Sequence, residues 1–503
     1  MHNANMYSLI ETAVGERPDA VAIETDRGER FTFRDVDAWT ARYANVLVKA
    51  GLARGDRVAA QLDKSPASLF LYLACLRAGT VYLPLNTAYQ RSELEYFLGD
   101  AEPELIVAAA RREALLRELA ERTTRAPVLT LDESGGEFAE RAARCATQFD
   151  TARLAPEDLA AIIYTSGTTG RSKGAMVTHG NLASNAQALV SIWGFSERDV
   201  LLHALPIFHV HGLFVANHCA LVSGAKMLWH RRFEPRAILQ ALPQATVFMG
   251  VPTYYTRLLA EPDFGRAQCD GMRLFVSGSA PLLAETFREF ESRTGMRILE
   301  RYGMSEAGMI ASNPLLGERR AGAVGFPLPG VSVRVADAQD RALAAGETGA
   351  IQIKGDNVFS GYWRRPEKTR EEFTADGWFR TGDLGMFDAD GYLYIVGRAK
   401  DLIISGGYNV YPKEIELAID RLPGVAESAV IGLADPDFGE AVTAVVVPKP
   451  GAGLEGAVIL AALKSQLANY KVPKRVYFVE ELPRNAMGKI QKNLLRERFG
   501  TQR

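Results

Sequence analysis

Residues 159–174 read Leu-Ala-Ala-Ile-Ile-Tyr-Thr-Ser-Gly-Thr-Thr-Gly-Arg-Ser-Lys-Gly. The change of character halfway along this stretch decides the fold class. The first six residues are apolar, as a strand covered on both faces of a sheet should be. Thr165, Ser166, Gly167, Thr168, Thr169 and Gly170 follow at once, with Lys173 three residues on. Such a loop exposes backbone N–H groups and short hydroxyl donors, and Lys173 adds a positive charge, which suits a phosphate. It is not a Walker loop, which needs G-x-x-x-x-G-K-[ST]; here Lys173 precedes Gly174. Standing alone, a Ser/Thr/Gly loop is more often a plain flexible turn.

Outward from this stretch, the chain alternates. Strand patterns at 57–62 and 80–85 are interleaved with helical patterns at 67–78 and 92–98. This βαβα order predicts a parallel sheet covered by helices. Thr178 is placed to cap a helix running through Leu182, Asn185 and Leu189. Between 318 and 397 glycines and prolines become frequent and short alternating runs appear, at 331–335 and 350–354. That pattern predicts an antiparallel β subdomain. A boundary is expected near 398–401, dividing the chain into 1–398 and 399–503. The second part reads as a small α+β domain. Its helices are expected at 412–420, at 458–467 and from 490, and its strands at 428–431, 442–447 and 475–479. No long linker joins the two, so they are expected to pack or hinge closely.

Composition narrows the function classes. The 503 residues are 47% hydrophobic and 23% charged, which excludes a mainly disordered or fibrous chain. With 58 basic and 60 acidic residues the net charge is −2, which gives no electrostatic case for nucleic acid or an anionic membrane. The four cysteines, Cys75, Cys145, Cys219 and Cys269, form no CxxC pair, so neither a zinc cluster nor a disulfide framework is expected. The N-terminal run lacks a basic segment followed by an apolar one, and no apolar run reaches the ~18 residues of a membrane span. A cytoplasmic location is the expectation. The sequence leaves the oligomeric state open.

Four further motifs accompany the loop. They are Tyr302-Gly303-Met304-Ser305-Glu306, Thr381-Gly382-Asp383, Gly397-Arg398-Ala399-Lys400-Asp401, and Pro483-Arg484-Asn485-Ala486-Met487-Gly488-Lys489. Each is weak singly: Asp383 could be a turn residue, Glu306 a helix cap, and Lys489 one surface lysine among many. Their joint order and spacing resembles the adenylate-forming superfamily of acyl-CoA synthetases, beetle luciferases and peptide-synthetase adenylation domains. The resemblance runs from about residue 8 to 497. Within the superfamily, residues 83–89, 164–176, 203–214, 300–306 and 409–414 look most like malonyl-CoA synthetases.

The resemblance implies an α/β fold. It has a large N-terminal domain of α/β sheets plus a β subdomain, and a small mobile α+β C-terminal domain. It also implies roles. Thr165, Ser166, Gly167, Thr168, Thr169, Gly170 and Lys173 would hold the β- and γ-phosphates of ATP. Glu306 would hold Mg²⁺, with Gly303 and Ser305 in the same run. Tyr302 would stack on adenine opposite the backbone of Ser277 to Pro281, which includes Ser279. Asp383 would accept the ribose hydroxyls, and Arg398 would add a donor. Lys489 would bridge the substrate carboxylate and the α-phosphate. Lys400 would be the hinge, and Gly406 and Gly407 would line the channel for the thiol arm of coenzyme A. Acetylation of Lys489 would remove its charge and stop the first step. Ser305 stands where Thr is usual, but the hydroxyl is kept.

The acyl substrate must be read from what differs. His209, in a catalytic or pocket role, and His211 beside it lie where the superfamily has a histidine near the acyl site; a satisfied buried histidine is the plainer alternative. Arg301 lies just before the Tyr302 run, where users of acyl chains carry small or apolar residues. A cation there is costly unless it meets an anion. A second substrate carboxylate would supply one through a bidentate pair; Glu300 or another protein acid is the alternative. Ser277, Arg273 and Arg232 are lesser candidates. The expectation is an acid–thiol ligase that converts malonate to malonyl-CoA with ATP. Residues 307–310 differ from the bacterial malonate enzymes, which leaves malonate and methylmalonate both open. The alternatives are a CoA ligase for a short-chain or aromatic monocarboxylic acid, an acyl-AMP ligase that loads a carrier protein, and a nucleotide-binding pseudoenzyme.

Overall fold

The computed structural model describes residues 3–165, 172–405, 408–436, 438–485 and 488–500. The chain forms two compact units, Met1–Ser332 with Ile353–Phe379, and Val333–Gln352 with Arg380–Arg503.

The first unit contains the βαβ pattern read from the sequence. Strands Arg57–Gln61, Val81–Pro84 and Leu105–Ala108 run parallel. The helix Pro66–Ala78 crosses between the first two. Its ends are set locally: Ser65 and Ser68 form a capping box, Pro66 opens the first turn, and Gly79 closes it at φ 74°. Ala67 apart, every residue from Pro66 to Ala78 is buried, so this helix is covered all round. Strand Leu159–Thr165 pairs parallel with Val81–Pro84 and antiparallel with Lys173–Thr178. The second strand was not expected. It turns the Ser/Thr/Gly loop into the connection of an antiparallel pair, with Thr165 opposite Lys173. Thr178 then caps helix His179–Ile192 with a full capping box, as expected.

A second sheet of this unit runs in the order Ala323–Pro327, Gly308–Ser312, Leu299–Met304, Leu274–Ser277, Val247–Gly250, Val200–His203, Lys226–Trp229, Val21–Thr25 and Arg30–Thr32. From Leu299–Met304 to Val21–Thr25 its strands are parallel. Ser277 and His203 therefore end the two strands that flank Val247–Gly250, at the carboxyl side, where open α/β sheets place their ligands.

In the second unit, strands Phe379–Phe387 and Leu393–Arg398 pair antiparallel, with Asp383 opposite Arg398. The expected β region at 318–397 is thus divided between the two units. The C-terminal part is a sheet in the order Tyr408–Val410, Ile403–Ser405, Gly439–Pro448, Val425–Asp435, with Arg475–Phe478 on Gly439–Pro448. Period-two alternation covers both faces. Val430, Val442, Ala444 and Val446 pack with Ile415, Ile419 and Ile459. Ala429, Ile431, Leu433 and Val445 pack with Leu495 and Phe499. Helix Pro412–Asp420 has the bounds expected, and the last helix, Lys492–Gly500, begins two residues later than read. All four cysteines are buried and unbridged. Among the described residues no helix is long and apolar enough to cross a membrane.

Candidate active site

Two clusters of polar residues lie in the first unit. One surrounds Glu306, in the turn between Leu299–Met304 and Gly308–Ser312. The Glu306 side chain is 7% exposed. Its Oε1 accepts from the Thr165 hydroxyl at 3.3 Å and from the Tyr362 hydroxyl at 3.2 Å. Burial raises its carboxyl above the usual range, against the two hydroxyl donors and the nearby Lys173. Lys173 Nζ lies 4.3 Å from the centre of the Tyr362 ring and 3.7 Å from Glu372. The ring offers its negative face to the ammonium.

The other cluster surrounds Arg301. It is 4% exposed, and its Nε and Nη2 have no hydrogen-bond partner. No carboxylate pairs with it among the described residues, so Glu300 is not its counter-ion. Burial brings the guanidinium down to about 9, still cationic at neutral pH. It lies flat against Gly278: a Cβ there would meet the guanidinium carbon at 2.4 Å. His211 is fully buried beside it, with Nε2 unpartnered and Nδ1 3.3 Å from Ser279 Oγ. Burial, then Arg301, holds His211 well below its usual range, so it is neutral. Ser277 Oγ, next to Gly278, is also buried without a partner.

The histidine segment is shaped by its backbone. Gly212 approaches the Pro206 carbonyl so closely that a Cβ would lie 2.1 Å from that oxygen. Residues His211–Ala216 then form a π-helical turn, a form often found at functional sites. His209 is half-buried, and its Nδ1 accepts the His211 N–H at 3.3 Å. Ser279 stands at φ 71°, unusual for a residue with a Cβ. Tyr302 and Gly303 lie on the strand that carries Arg301. Ser305 lies in the turn beside Glu306.

The second unit gathers Asp383, Arg398, Lys400 and Lys489. Asp383 is buried and paired with Arg398 Nε at 3.1 Å across the two antiparallel strands. Burial, then Arg398, brings the Lys489 ammonium down to about 8, with Asp383 acting in the opposite sense. Lys400 sits in the short turn Ala399–Asp401 and is lowered by partial burial and by Arg398.

Two expected acyl-pocket residues are elsewhere. Arg273 precedes strand Leu274–Ser277 at the end away from Ser277. It makes a two-pronged pair with Asp199, at 2.6 and 2.8 Å, and donates to the Trp193 carbonyl. All its donors serve the fold. Arg232 has a side chain 82% exposed, paired with Glu234 two residues on. Ser166, Gly167, Thr168, Thr169, Gly170, Gly406 and Gly407 lie outside the described residues.

Tyr362 was not found from the sequence. It stands in Gly361-Tyr362-Trp363-Arg364, 56 residues from Glu306, and no local pattern connects the two.

Comparison with known proteins gives the family of the chain. The AMP-binding enzyme family matches residues 10–363, and the AMP-binding enzyme C-terminal domain matches 414–489. A crystal structure of ATP-bound MatB from Rhodopseudomonas palustris is 52% identical, covers all of both chains and superposes with a TM-score of 0.97. A feruloyl-CoA synthase of an Amycolatopsis species is 37% identical over 99% of this chain and 100% of its own. The mitochondrial malonate–CoA ligase of Mus musculus is also 37% identical, over 89% of this chain and 82% of its own.

Proposed function

The chain belongs to the AMP-binding enzyme family, and from that premise we propose that it is an ATP-dependent acid–thiol ligase. It activates malonate or its 2-methyl form as an acyl-adenylate and transfers the acyl group to coenzyme A. The products are the CoA thioester, AMP and diphosphate. Identity to the feruloyl-CoA synthase and to the malonate–CoA ligase is equal and does not choose between their acids, while the 52% identity to MatB over all of both chains supports malonate. The observation that carries the choice is the set of unpartnered buried atoms: Arg301 Nε and Nη2, His211 Nε2 and Ser277 Oγ. An apolar or aromatic acyl group would leave all of them unsatisfied. The second carboxylate of a malonate supplies the missing anion and accepts two parallel hydrogen bonds from the guanidinium.

A carboxylate is a poor acyl donor, because its leaving group would be oxide. In the first step its oxygen attacks the α-phosphorus of ATP and diphosphate departs. Lys489 stabilises the charge that develops on the carboxylate and the α-phosphate. Asp383 accepts the ribose hydroxyls, and Arg398 adds its donor. Tyr302 stacks on the adenine, beside the backbone around Ser279. Thr165, the loop after it and Lys173 receive the β- and γ-phosphates. Glu306 fits Mg²⁺, which is commonly bound by one or two carboxylates and otherwise by phosphate and water oxygens. When bound, Mg²⁺ neutralises phosphate charge. In the second step the thiol sulfur attacks the acyl carbon, its proton is released, and AMP leaves. No protein nucleophile takes part; positioning and charge do the work. For this step the proposal includes a pivot at Lys400, dividing 1–398 from 399–503, and thiol entry past Gly406 and Gly407. Acetylation of Lys489 is proposed to stop the first step by removing its charge.

The test is CoA-dependent AMP formation across malonate, methylmalonate, succinate, acetate, butyrate and a cinnamate-type acid. Activity confined to malonate and methylmalonate is the expected result. Preference for a monocarboxylate would overturn the substrate assignment and leave the ligase reaction standing.

A further inference from the structure

Glu306 and Lys173 carry opposite charges and serve the same phosphates in the reading above, yet they do not form an ion pair with one another. Tyr362 stands between them. Its hydroxyl donates to Glu306 Oε1 at 3.2 Å, and its ring face carries Lys173 Nζ at 4.3 Å. We propose that Tyr362 is a positioning residue: one side chain holds the metal-binding carboxylate and the phosphate-binding ammonium apart and aimed. This inference rests on the assignment of Glu306 to Mg²⁺ and Lys173 to phosphate.

The backbone supports a fixed placement. The Met176 N–H donates to the Gly361 carbonyl, and the Trp363 N–H donates to the Gly174 carbonyl. Tyr362 thereby bridges to Ala175, within the strand that starts at Lys173. The Phe359 N–H donates to the Glu306 carbonyl, joining the same segment to the turn of Glu306. The Tyr362 N–H is taken by the Thr369 hydroxyl at 2.9 Å. Gly361 is needed at φ 127°, where a Cβ would meet Thr369 at 2.7 Å. The ring is 5% exposed and packs edge-on against Phe359.

The chemical consequence is specific. A free lysine beside a buried carboxylate would pair with it directly and occupy the oxygens a cation needs. With Tyr362 in place, both hydroxyl donors engage Oε1, and Oε2 is left clear of them. Lys173 is kept near by the ring and by Glu372, which is a softer hold than a direct pair with Glu306.

The experiment separates the two ends of the side chain. Mn²⁺ binding to the enzyme–ATP complex is followed by electron paramagnetic resonance, and ATP binding in EDTA by calorimetry, with no acid substrate present. Tyr362→Phe keeps the ring and loses the hydroxyl. It is expected to weaken Mn²⁺ about tenfold, the scale of one hydrogen bond to a charged group, and to leave metal-free ATP affinity within about twofold. Tyr362→Leu also loses the ring, and is expected to weaken metal-free ATP binding as well. Thermal melting of both variants is recorded. Unchanged Mn²⁺ binding in Tyr362→Phe overturns the inference. So does an equal loss of both affinities in Phe and Leu variants that tracks a lowered melting temperature. Glu306→Gln is the control for the underlying assignment: if it binds Mn²⁺ as well as the parent, the assignment of Glu306 fails first. If it loses Mn²⁺ while Tyr362→Phe does not, the inference about Tyr362 fails alone.

Discussion

Around Glu306 the charged groups are partnered within the protein; around Arg301 the buried donors are not. Glu306 has two hydroxyl donors, and Lys173 has an aromatic face and Glu372. Arg301, His211 and Ser277 together leave four buried polar atoms without a partner. The first region is complete before a ligand arrives, so it suits the part of the reaction that every acid shares. The second is incomplete, and its cost is offset only when a substrate brings the missing anion. In the proposed function, specificity rests on the orphaned atoms and the shared chemistry on the satisfied ones.

The largest expected effect comes from emptying the orphaned region. Arg301→Ala should cost malonate roughly 3–5 kcal/mol in kcat/KM, the penalty of an unpaired charge in a closed pocket. It should spare butyrate, whose tail has no carboxylate. Parallel measurements of CoA-dependent AMP formation with both acids check this. Equal losses would erase the distinction between the two regions.

Next comes Lys489, to which the proposed mechanism gives the first step of the reaction. Lys489→Ala should lower adenylate formation by ~10²–10³-fold, the scale for loss of one transition-state donor. Transfer from preformed malonyl-adenylate to CoA should change far less. Burial, then Arg398, brings the ammonium of Lys489 down to about 8. Its folded value is depressed, so the charged form is present below pH 8 and disappears above it. The kcat/KM of the first half-reaction, followed by diphosphate release, should therefore fall as pH rises through 8. A profile flat to pH 9.5 would remove Lys489 from that role.

Two smaller effects separate Arg301 from its lookalikes. Arg273→Ala strands Asp199 and should lower stability by roughly 1–3 kcal/mol, read from urea unfolding, without changing the ratio of malonate to butyrate activity. Arg232→Ala, at an exposed site, should alter stability by no more than about 0.5 kcal/mol and leave activity intact. A change in acid preference in either variant would extend the pocket beyond Arg301.

Much of this was legible in the sequence because its signals are local. The apolar run ending at Tyr164, the cap at Thr178 and the alternation in the C-terminal sheet each depend on neighbours a few residues away. The family motifs are likewise short runs. The strand Lys173–Thr178 was missed, because its identity lies in its pairing with Leu159–Thr165.

The sequence by itself determined the two-part α/β architecture, and it supplied the runs carrying Glu306, Asp383, Arg398 and Lys489 and an arginine beside the Tyr302 run. Only the tertiary structure decided which arginine lacks a partner. Arg273 meets Asp199 from 74 residues away, while Arg301, next to Glu300 in the chain, does not pair with it. Tyr362 reaches Glu306 across 56 residues. Propensity and capping act over a turn or a strand, but ion pairs and orphaned donors depend on register between distant strands. Adjacent strand residues point to opposite faces, so closeness in sequence does not bring two charges together.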